Sequence, residues 1–174
     1  MKQEIERKFL IDAKKLPNLP RPRKVVQGYL SQNPEVRARI TDKKACLTIK
    51  TLGELVRDEF EYEIPLKDAK KLLELTNLKV EKLRYFLTLN GFCWVIDFFQ
   101  GENYPLVTAE VELPHKDSKF KKPLWVGKEV TFDARFHNRS LAAHPFSSWS
   151  NKSQFCSPRS GRRARSDLII NSEF

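Results

Sequence analysis

The stretch Glu4-Ile5-Glu6-Arg7-Lys8-Phe9-Leu10 sets a pattern that recurs along the chain. Because successive side chains of a β-strand point to opposite faces, the stretch puts Glu4, Glu6 and Lys8 on one face and Ile5 and Phe9 on the other. The apolar face is expected to pack against a core, whereas charged groups on the other face need water, partners or a ligand. The stretch therefore predicts a strand with one apolar and one charged face.

The same alternation predicts eight strands in all. Beginning with the first, they are Glu4–Leu10, Val25–Leu30, Val36–Ile40, Ala45–Lys50, Asp58–Ile64, Val80–Leu89, Phe92–Phe99 and Leu106–Leu113. Asn90-Gly91 lies between two of these runs and is typical of a tight hairpin, since both residues tolerate positive φ. Three- and four-residue spacing of apolar residues predicts a helix over Leu66–Leu78, and a shorter helix is expected over Arg135–Ala143.

The charged faces of these strands carry mostly doubled residues of one sign. Asp97 stands alone, between Ile96 and Phe98. The bases are Lys8, Arg37, Arg39, Lys50, Lys82 and Arg84, and the acids are Glu4, Glu6, Glu61, Glu63, Asp97, Glu110 and Glu112. A solvated sheet face also carries such residues, but it usually mixes them with Ser, Thr, Asn and Gln, and this chain does so little. If the sheet closes into a barrel, a charged interior needs water or ligands.

These residue types fit a polyanion bound together with cations. Arginine and lysine neutralise phosphate oxygens, and arginine does so bidentately. Clustered carboxylates offer the hard oxygen ligands of Mg²⁺ or Mn²⁺, and a water oriented beside them could attack a terminal phosphorus. We therefore predict an α+β, mainly β chain, built as a closed eight-stranded antiparallel barrel with a few peripheral helices, whose interior binds a polyanion together with divalent metal.

The stretch Glu4-Ile5-Glu6-Arg7-Lys8 resembles the ExExK signature of the CYTH superfamily, the triphosphate tunnel metalloenzymes. Its companions follow in the family's order: Val36-Arg37-Ala38-Arg39, Leu47-Thr48-Ile49-Lys50, Glu61-Tyr62-Glu63, Glu81-Lys82-Leu83-Arg84, Asp97, Glu110-Val111-Glu112 and the later Gly127–Asn138 segment. The similarity covers about residues 1–146. One departure is Phe136, where many relatives have tyrosine, so that hydroxyl is absent here.

The resemblance implies a role for each charged residue. Phosphate contacts are expected from Lys8, Arg37, Arg39, Lys50, Lys82 and Arg84. Apart from the resemblance, the position of Arg135 on the shorter predicted helix suggests that it closes one mouth of the tunnel and contacts the substrate there. The expected ligands of Mg²⁺ or Mn²⁺ are Glu4, Glu6, Asp97, Glu110, Glu112 and Glu129. The candidate catalytic residues are Glu61, Glu63, Lys8 and Tyr29. Two of these assignments have plainer alternatives: Tyr29 could be a packing residue, and Arg135 could form a surface salt bridge.

The implied activity is metal-dependent hydrolysis of inorganic tripolyphosphate to diphosphate and orthophosphate. The alternatives are a class IV-like adenylate cyclase, a nucleoside or thiamine triphosphatase, and a polyphosphate- or nucleic-acid-binding barrel. Against nucleic acid, the acids are interleaved with the bases, and Phe9, Phe60 and Phe98 fall on the apolar face, away from the bases. The sequence leaves the choice between monomer and homodimer open.

Composition bounds these predictions. The chain has 174 residues, a formal net charge of +10 and three cysteines without metal-ligand spacing. The charge suits an anionic partner, while the absence of a signal peptide and of a long apolar run predicts a cytoplasmic protein without membrane contact. A tunnel domain is expected over residues 1–146. Residues 147–174 are predicted to form a flexible or non-native Ser- and Arg-rich tail that could bind nucleic acid weakly.

Overall fold

The computed structural model describes residues 5–51, 59–115 and 117–155. The predicted metal ligand Glu4 and residues 156–174 of the predicted tail lie outside these ranges. The strands are β1 (Ile5–Ile11), β2 (Arg23–Gln32), β3 (Glu35–Thr41), β4 (Lys44–Lys50), β5 (Glu59–Glu63), β6 (Lys79–Leu89), β7 (Phe92–Phe99), β8 (Val107–Leu113) and β9 (Val126–Glu129). The α-helices are α1 (Leu66–Glu74) and α2 (Asn138–Ala143). Neither is long and apolar enough to cross a membrane, and the same holds for every helix in the described residues.

All the strands join one antiparallel sheet in the order β5-β4-β3-β2-β6-β7-β8-β1-β9. The prediction of a mainly β fold with few helices is confirmed. The prediction of a closed eight-stranded barrel is wrong, because the sheet has nine strands and is open. A closed barrel of the eight predicted strands would require β5 to pair with β1. That edge of β1 instead pairs with β9, at Phe9 and Ile11.

Sharp turns and a close helix contact explain how the sheet is connected. Asn90 and Gly91 have φ values of 52° and 78° and join β6 to β7, so the predicted hairpin is confirmed. Helix α1 ends four residues earlier than expected and packs its buried Ala69 and Leu73 on the convex face. It approaches β2 at Gly28, where an added Cβ would lie 2.8 Å from Leu73 Cδ2. The absence of a side chain therefore allows this helix to lie flat on the sheet.

One core covers the convex face of β1, β7 and β8. Phe9, Trp94, Ile96 and Val111 are buried there. The indole of Trp125 packs edge-on against Trp94, with ring centroids 5.1 Å apart. These residues are the apolar members of the alternating pattern, so burial of that face turns the charged members inward, towards the concave side of the sheet.

A second core closes one end of the concave side. Residues 134–155 form what we call the C-terminal plug: α2 and three short 3-10 helices. Phe136, Leu141 and Phe146 of the plug are completely buried against Leu10 and Tyr29 of the sheet. The predicted Arg135–Ala143 helix is in fact a 3-10 helix at Ala134–Phe136 followed by α2.

The plug continues past the predicted domain boundary. The rings of Trp149 and Phe155 contact Phe136 at centroid distances of 5.2 and 5.4 Å. These two residues belong to the stretch that the sequence assigns to the tail. Because residues 156–174 are not described, the boundary at residue 146 and the tail beyond it stay predictions.

Candidate functional site

The concave side of the sheet holds a polar cavity of about 510 Å³, here called the inner cavity. Strands from both ends of the sheet order contribute to it, so the open sheet is strongly curved. Its bases are Lys8, Arg37, Arg39, Lys50, Arg84 and Arg139, and its acids are Glu6, Glu35, Glu59, Glu61 and Glu110. Gln27, Tyr29, His137 and Asn138 complete the lining. The doubled charges predicted from the sequence therefore meet in one place.

Most bases of the inner cavity are paired with its own acids. Lys8 Nζ lies 2.8 Å from Glu110 Oε1, and Lys50 Nζ lies 2.7 Å from Glu59 Oε2. Arg39 Nη2 donates to Glu61 Oε2 at 2.8 Å. Burial raises the pKa of Glu59, but the hydrogen bond and charge of Lys50 and the nearby arginines outweigh it and lower the pKa overall. These carboxylates thus neutralise the cations in the absence of a ligand.

Arg37 differs from its neighbours because its pairing is incomplete. Its Nη2 reaches Glu59 Oε1 only at 3.4 Å, and its Nε is buried without a hydrogen-bond partner in the described residues. A buried donor left unpaired is unfavourable unless a ligand or water satisfies it. Nε and Nη2 form the fork with which arginine binds two oxygens of one phosphate. Of the two donors of this fork, Nη2 is only weakly engaged by Glu59 and Nε is unused among the described residues.

Lys82 and Asp97 lie behind the cavity wall, not on it. Lys82 Nζ donates to Asp97 Oδ2 at 2.7 Å and to Asn138 Oδ1 at 3.1 Å, and both charged side chains are almost wholly buried. Arg84 binds both oxygens of Asp97 at 2.8 Å. Burial lowers the pKa of Lys82 to about 8, although Asp97 opposes it. The two cations hold the pKa of Asp97 well below its usual value despite its burial.

Of Lys82, Arg84 and Asp97, only Arg84 faces the inner cavity, and the other two fix its orientation. Arg84 lines the inner cavity, and its guanidinium is oriented from behind by Asp97. Lys82 shares that carboxylate and in turn contacts the plug through Asn138. Lys82 is thus placed to support Arg84 and the plug.

Tyr29 also lines the cavity, and its hydroxyl accepts a hydrogen bond from Gln27 Nε2 at 2.8 Å. Burial, as the main cause, raises the pKa of the Tyr29 hydroxyl to about 12. The phenol therefore stays protonated at neutral pH. It can donate a hydrogen bond to an oxyanion but does not serve as a base.

Three of the predicted metal ligands lie along paired strands on the concave side. Glu6 is directly opposite Glu112, and Glu110 is directly opposite Lys8. Glu6 and Glu110 line the cavity, while Glu112 is exposed. Like charges directly opposite each other in a sheet are unfavourable, and a divalent cation would relieve the repulsion between Glu6 and Glu112. Within the described ranges, no three His, Cys, Asp or Glu side chains converge into a metal site.

Two further predicted site residues lie outside the inner cavity. Glu129 forms a two-pronged ion pair with Arg7, through Nε at 2.8 Å and through Nη2, and the Arg7 guanidinium lies over the rings of Phe9 and Phe120. Arg135 pairs with Asp133 and stacks on Phe136, Trp149 and Phe155. Neither lines the inner cavity.

A second cavity, of about 920 Å³, is here called the outer cavity. It shares Arg39, Glu61 and Arg84 with the inner cavity, and it contains Glu63. Its bases are Arg21, Arg23, Arg39, Lys43, Lys44 and Arg84, and its acids are Asp42, Glu61 and Glu63. The predicted pair Glu61 and Glu63 is thus divided, with Glu61 in both cavities and Glu63 in the outer one.

Several cavity residues were missed in the sequence. Glu35 shares a face with Arg37, and Glu59 shares a face with Glu61, so the two-residue alternation could have found both. His137, Asn138 and Arg139 had no such signal. They reach the cavity because the plug folds back on the sheet, with Arg139 Nη1 3.8 Å from Glu35 Oε2.

Comparisons with known proteins agree with this geometry. The CYTH domain profile matches residues 2–141. A curated inorganic triphosphatase of Acetivibrio thermocellus is 42% identical over 151 residues, which cover 84% of this chain and 97% of that protein. One from Nitrosomonas europaea is 36% identical over 149 residues, covering 80% and 96%. The crystal structure of an inorganic triphosphatase superimposes with a TM-score of 0.66 at 34% identity, covering 82% of this chain and 95% of the other. The resemblance found in the sequence is confirmed, and the chain belongs to the CYTH domain family.

Proposed function

We propose that this chain is a metal-dependent inorganic triphosphatase, which converts tripolyphosphate and water to diphosphate and orthophosphate in the inner cavity. Two relatives that match most of the chain carry the name inorganic triphosphatase. The observation that carries the proposal is Arg37, which lines a cavity of alternating cations and carboxylates, reaches Glu59 only at 3.4 Å and has a buried Nε without a hydrogen-bond partner in the described residues. An oxyanion with several negative oxygens satisfies that donor and replaces the carboxylates on the neighbouring cations.

The bases along the cavity bind the phosphate chain. Arg37 takes one phosphate bidentately, and Lys8, Arg39 and Lys50 exchange their present carboxylate partners for phosphate oxygens. Arg84 contacts the chain from the wall, in the orientation that Asp97 gives it. Tyr29 donates its hydroxyl proton in a hydrogen bond to a phosphate oxygen. Substrate binding is therefore an exchange of partners, without long side-chain movements.

Glu61 is the carboxylate that we assign to water activation. It lies at the junction of the two cavities, and its Oε2 now accepts from Arg39 and from Thr48 Oγ1 at 3.2 Å. When phosphate takes over Arg39, Glu61 becomes available to accept a proton. The water oxygen then bonds to the terminal phosphorus, the bridging P–O bond breaks, and diphosphate leaves with the electron pair. The proton of the water passes to Glu61.

A divalent cation fits the carboxylates of the cavity. Mg²⁺ in proteins is commonly held by one or two carboxylates together with waters and substrate phosphates, so a three-ligand cluster is not required of the protein alone. Glu6 with its cross-strand neighbour Glu112, and Glu110 beside them, are the residues that would hold Mg²⁺ or Mn²⁺. When bound, the metal supplies charge neutralisation at the phosphate oxygens.

The test is phosphate release from tripolyphosphate, ATP and thiamine triphosphate in parallel, with Mg²⁺, Mn²⁺ or EDTA. We expect turnover of tripolyphosphate that needs a metal and exceeds turnover of the other two. Preferential use of ATP would move the assignment to a nucleotide substrate, with cyclic AMP as the next product to measure. If none of the substrates is hydrolysed, the proposed function is wrong.

Two matched substitutions on β5 test the assignment of Glu61. Loss of a general base typically reduces kcat by about 10²–10⁴-fold. Glu61→Gln is expected to show that loss, whereas Glu63→Gln, two residues along the same face and in the outer cavity only, should change kcat by less than about tenfold. Equal losses in the two variants would contradict the assignment.

A further inference from the structure

The outer cavity carries an excess of positive charge that the inner cavity lacks. It has six basic and three acidic side chains, against six bases and five acids in the inner cavity. Arg21, Arg23, Lys43 and Lys44, here called the rim cations, are exposed and belong to the outer cavity alone. In the described part of the chain, none of the four forms a salt bridge with a carboxylate. Their charge is therefore only partly compensated, by Asp42 and Glu63 of the same cavity, whereas Lys8, Arg39 and Lys50 are each paired directly with a carboxylate.

The strand pairing places two of the outer-cavity cations against each other. Arg23 on β2 is directly opposite Arg84 on β6. Arg84 has Asp97 as a partner, whereas the Arg23 guanidinium lies over the ring of Phe86, 5.2 Å from its centroid. Like charges at opposed positions destabilise a sheet unless something between them is negative. An anion in the outer cavity would supply that charge.

The two cavities are adjacent, because Arg39, Glu61 and Arg84 line both of them. The plug occupies the other end of the concave side, where His137, Asn138 and Arg139 border the inner cavity. The outer cavity, at the end away from the plug, is therefore a side from which a solute can approach the inner one.

We propose that the rim cations form a capture site at which the anionic substrate first binds, before it passes between Arg39 and Arg84 into the inner cavity. The inference rests on the proposed function in that it takes a triphosphate as the anion. A cleft lined with charge of one sign concentrates the oppositely charged solute and raises its association rate by about 10–10³-fold. The rim does not touch the reacting atoms, so it acts on kcat/KM and leaves kcat to the inner cavity.

The experiment compares two variants with the same change in net charge. The rim variant carries Arg21→Gln, Arg23→Gln, Lys43→Gln and Lys44→Gln. The control carries Lys67→Gln, Lys71→Gln, Lys119→Gln and Lys121→Gln, four exposed lysines that line neither cavity. For both, kcat and kcat/KM for tripolyphosphate are measured from low to high salt, with circular dichroism to verify folding.

We expect the rim variant to lose about tenfold in kcat/KM at low salt, with kcat changed by less than about twofold. The difference from the parent should shrink at high salt, where the Debye length falls to about 3 Å. The control should stay within about twofold of the parent at every salt concentration. Equal losses in the two variants would overturn the proposal, as would a rim variant indistinguishable from the parent.

The capture site can be tested even if the proposed function fails. If the parent does not hydrolyse tripolyphosphate, the same proteins are titrated with it by calorimetry over the same salt range. Weaker binding and a flatter salt dependence in the rim variant alone would support the capture site. Identical affinities in the three proteins would refute it, whatever the activity of the parent.

Discussion

Replacing Asp97 by asparagine removes one negative charge and leaves two buried cations without their carboxylate. Asp97 binds Lys82 at 2.7 Å and Arg84 at 2.8 Å, and only 2% of its side chain is exposed. Because Lys82 and Asp97 are almost wholly buried, Lys82 regains no hydration when the carboxylate is lost, and Arg84 regains little, since only 19% of its side chain is exposed. Breaking a buried ion pair on one side typically destabilises a protein by about 3–5 kcal/mol. We expect Asp97→Asn to fall in that range.

The loss of stability that Asp97→Asn causes through Lys82 is limited, because Lys82 can lose its charge. Its pKa of about 8 is already low because of burial, and Asp97 opposes that shift. Once the charge of Asp97 is gone, Lys82 can release its proton near neutral pH and become a neutral amine. Arg84 has no such option, since its guanidinium stays protonated. The remaining cost therefore falls on Arg84, the member of the group that faces the inner cavity.

Lys82→Met is the matched comparison, because it removes the opposite partner from the same site. Asp97 then still has both of its hydrogen bonds from Arg84, so we expect a loss of only about 1–2 kcal/mol. Urea unfolding followed by circular dichroism measures both values, and the thermal midpoint of Asp97→Asn should fall by about 10 °C. If Asp97→Asn costs no more than Lys82→Met, the site is hydrated and the reasoning from buried charge is wrong.

Three other predictions concern single contacts. Arg37→Lys removes the guanidinium fork but keeps the charge, so KM for tripolyphosphate should rise about tenfold or more in steady-state assays while the fold is kept. The hydrogen bond from Arg7 lowers the pKa of Glu129 from 4.5 to about 2. The ion pair therefore contributes roughly 1 kcal/mol to stability above pH 4.5, and this contribution is lost as the pH falls towards 2. In urea unfolding, Glu129→Gln should thus differ in stability from the parent only at the higher pH. Gly28→Ala places a Cβ 2.8 Å from Leu73 Cδ2, so displacement of α1 should cost about 1–3 kcal/mol in the same assay.

Much of the fold follows from the alternation of side chains because burial of one strand face determines where the other face points. The eight predicted strands and the Asn90-Gly91 hairpin follow from that local rule. The ninth strand does not, because Val126–Glu129 is too short to show a period. Its Gly127 fits against β1, where an added Cβ would lie 3.1 Å from the Leu10 carbonyl oxygen. Whether the sheet closes depends on such contacts at its edges, and the alternation of apolar and polar residues in the sequence does not predict them.

The candidate site, like the fold, contains some residues that the sequence could predict and others that it could not. Bases such as Arg37 and Arg39 could be placed together because they repeat within one strand and the apolar face fixes their direction. Asp97 was expected to hold metal, but whether a buried carboxylate faces a ligand or a lysine depends on the neighbouring strand, here on Lys82. Asn138 was missed for a related reason: it is more than fifty residues from Lys82 in the sequence, and only the folding of the plug brings the two together.

The alternation of acids with bases in the inner cavity explains how one site can hold both a polyanion and a cation. Without ligands, Lys8 is neutralised by Glu110, and Lys50 by Glu59, so little net charge is left buried. A phosphate chain that takes over the cations leaves these carboxylates with excess negative charge, which a divalent cation then compensates. Each ligand thus creates the partners that the other needs, and by linkage each raises the affinity of the other by the same factor. A cavity of bases alone would bind the phosphates but provide no ligands for the metal, and one of acids alone would repel the phosphates.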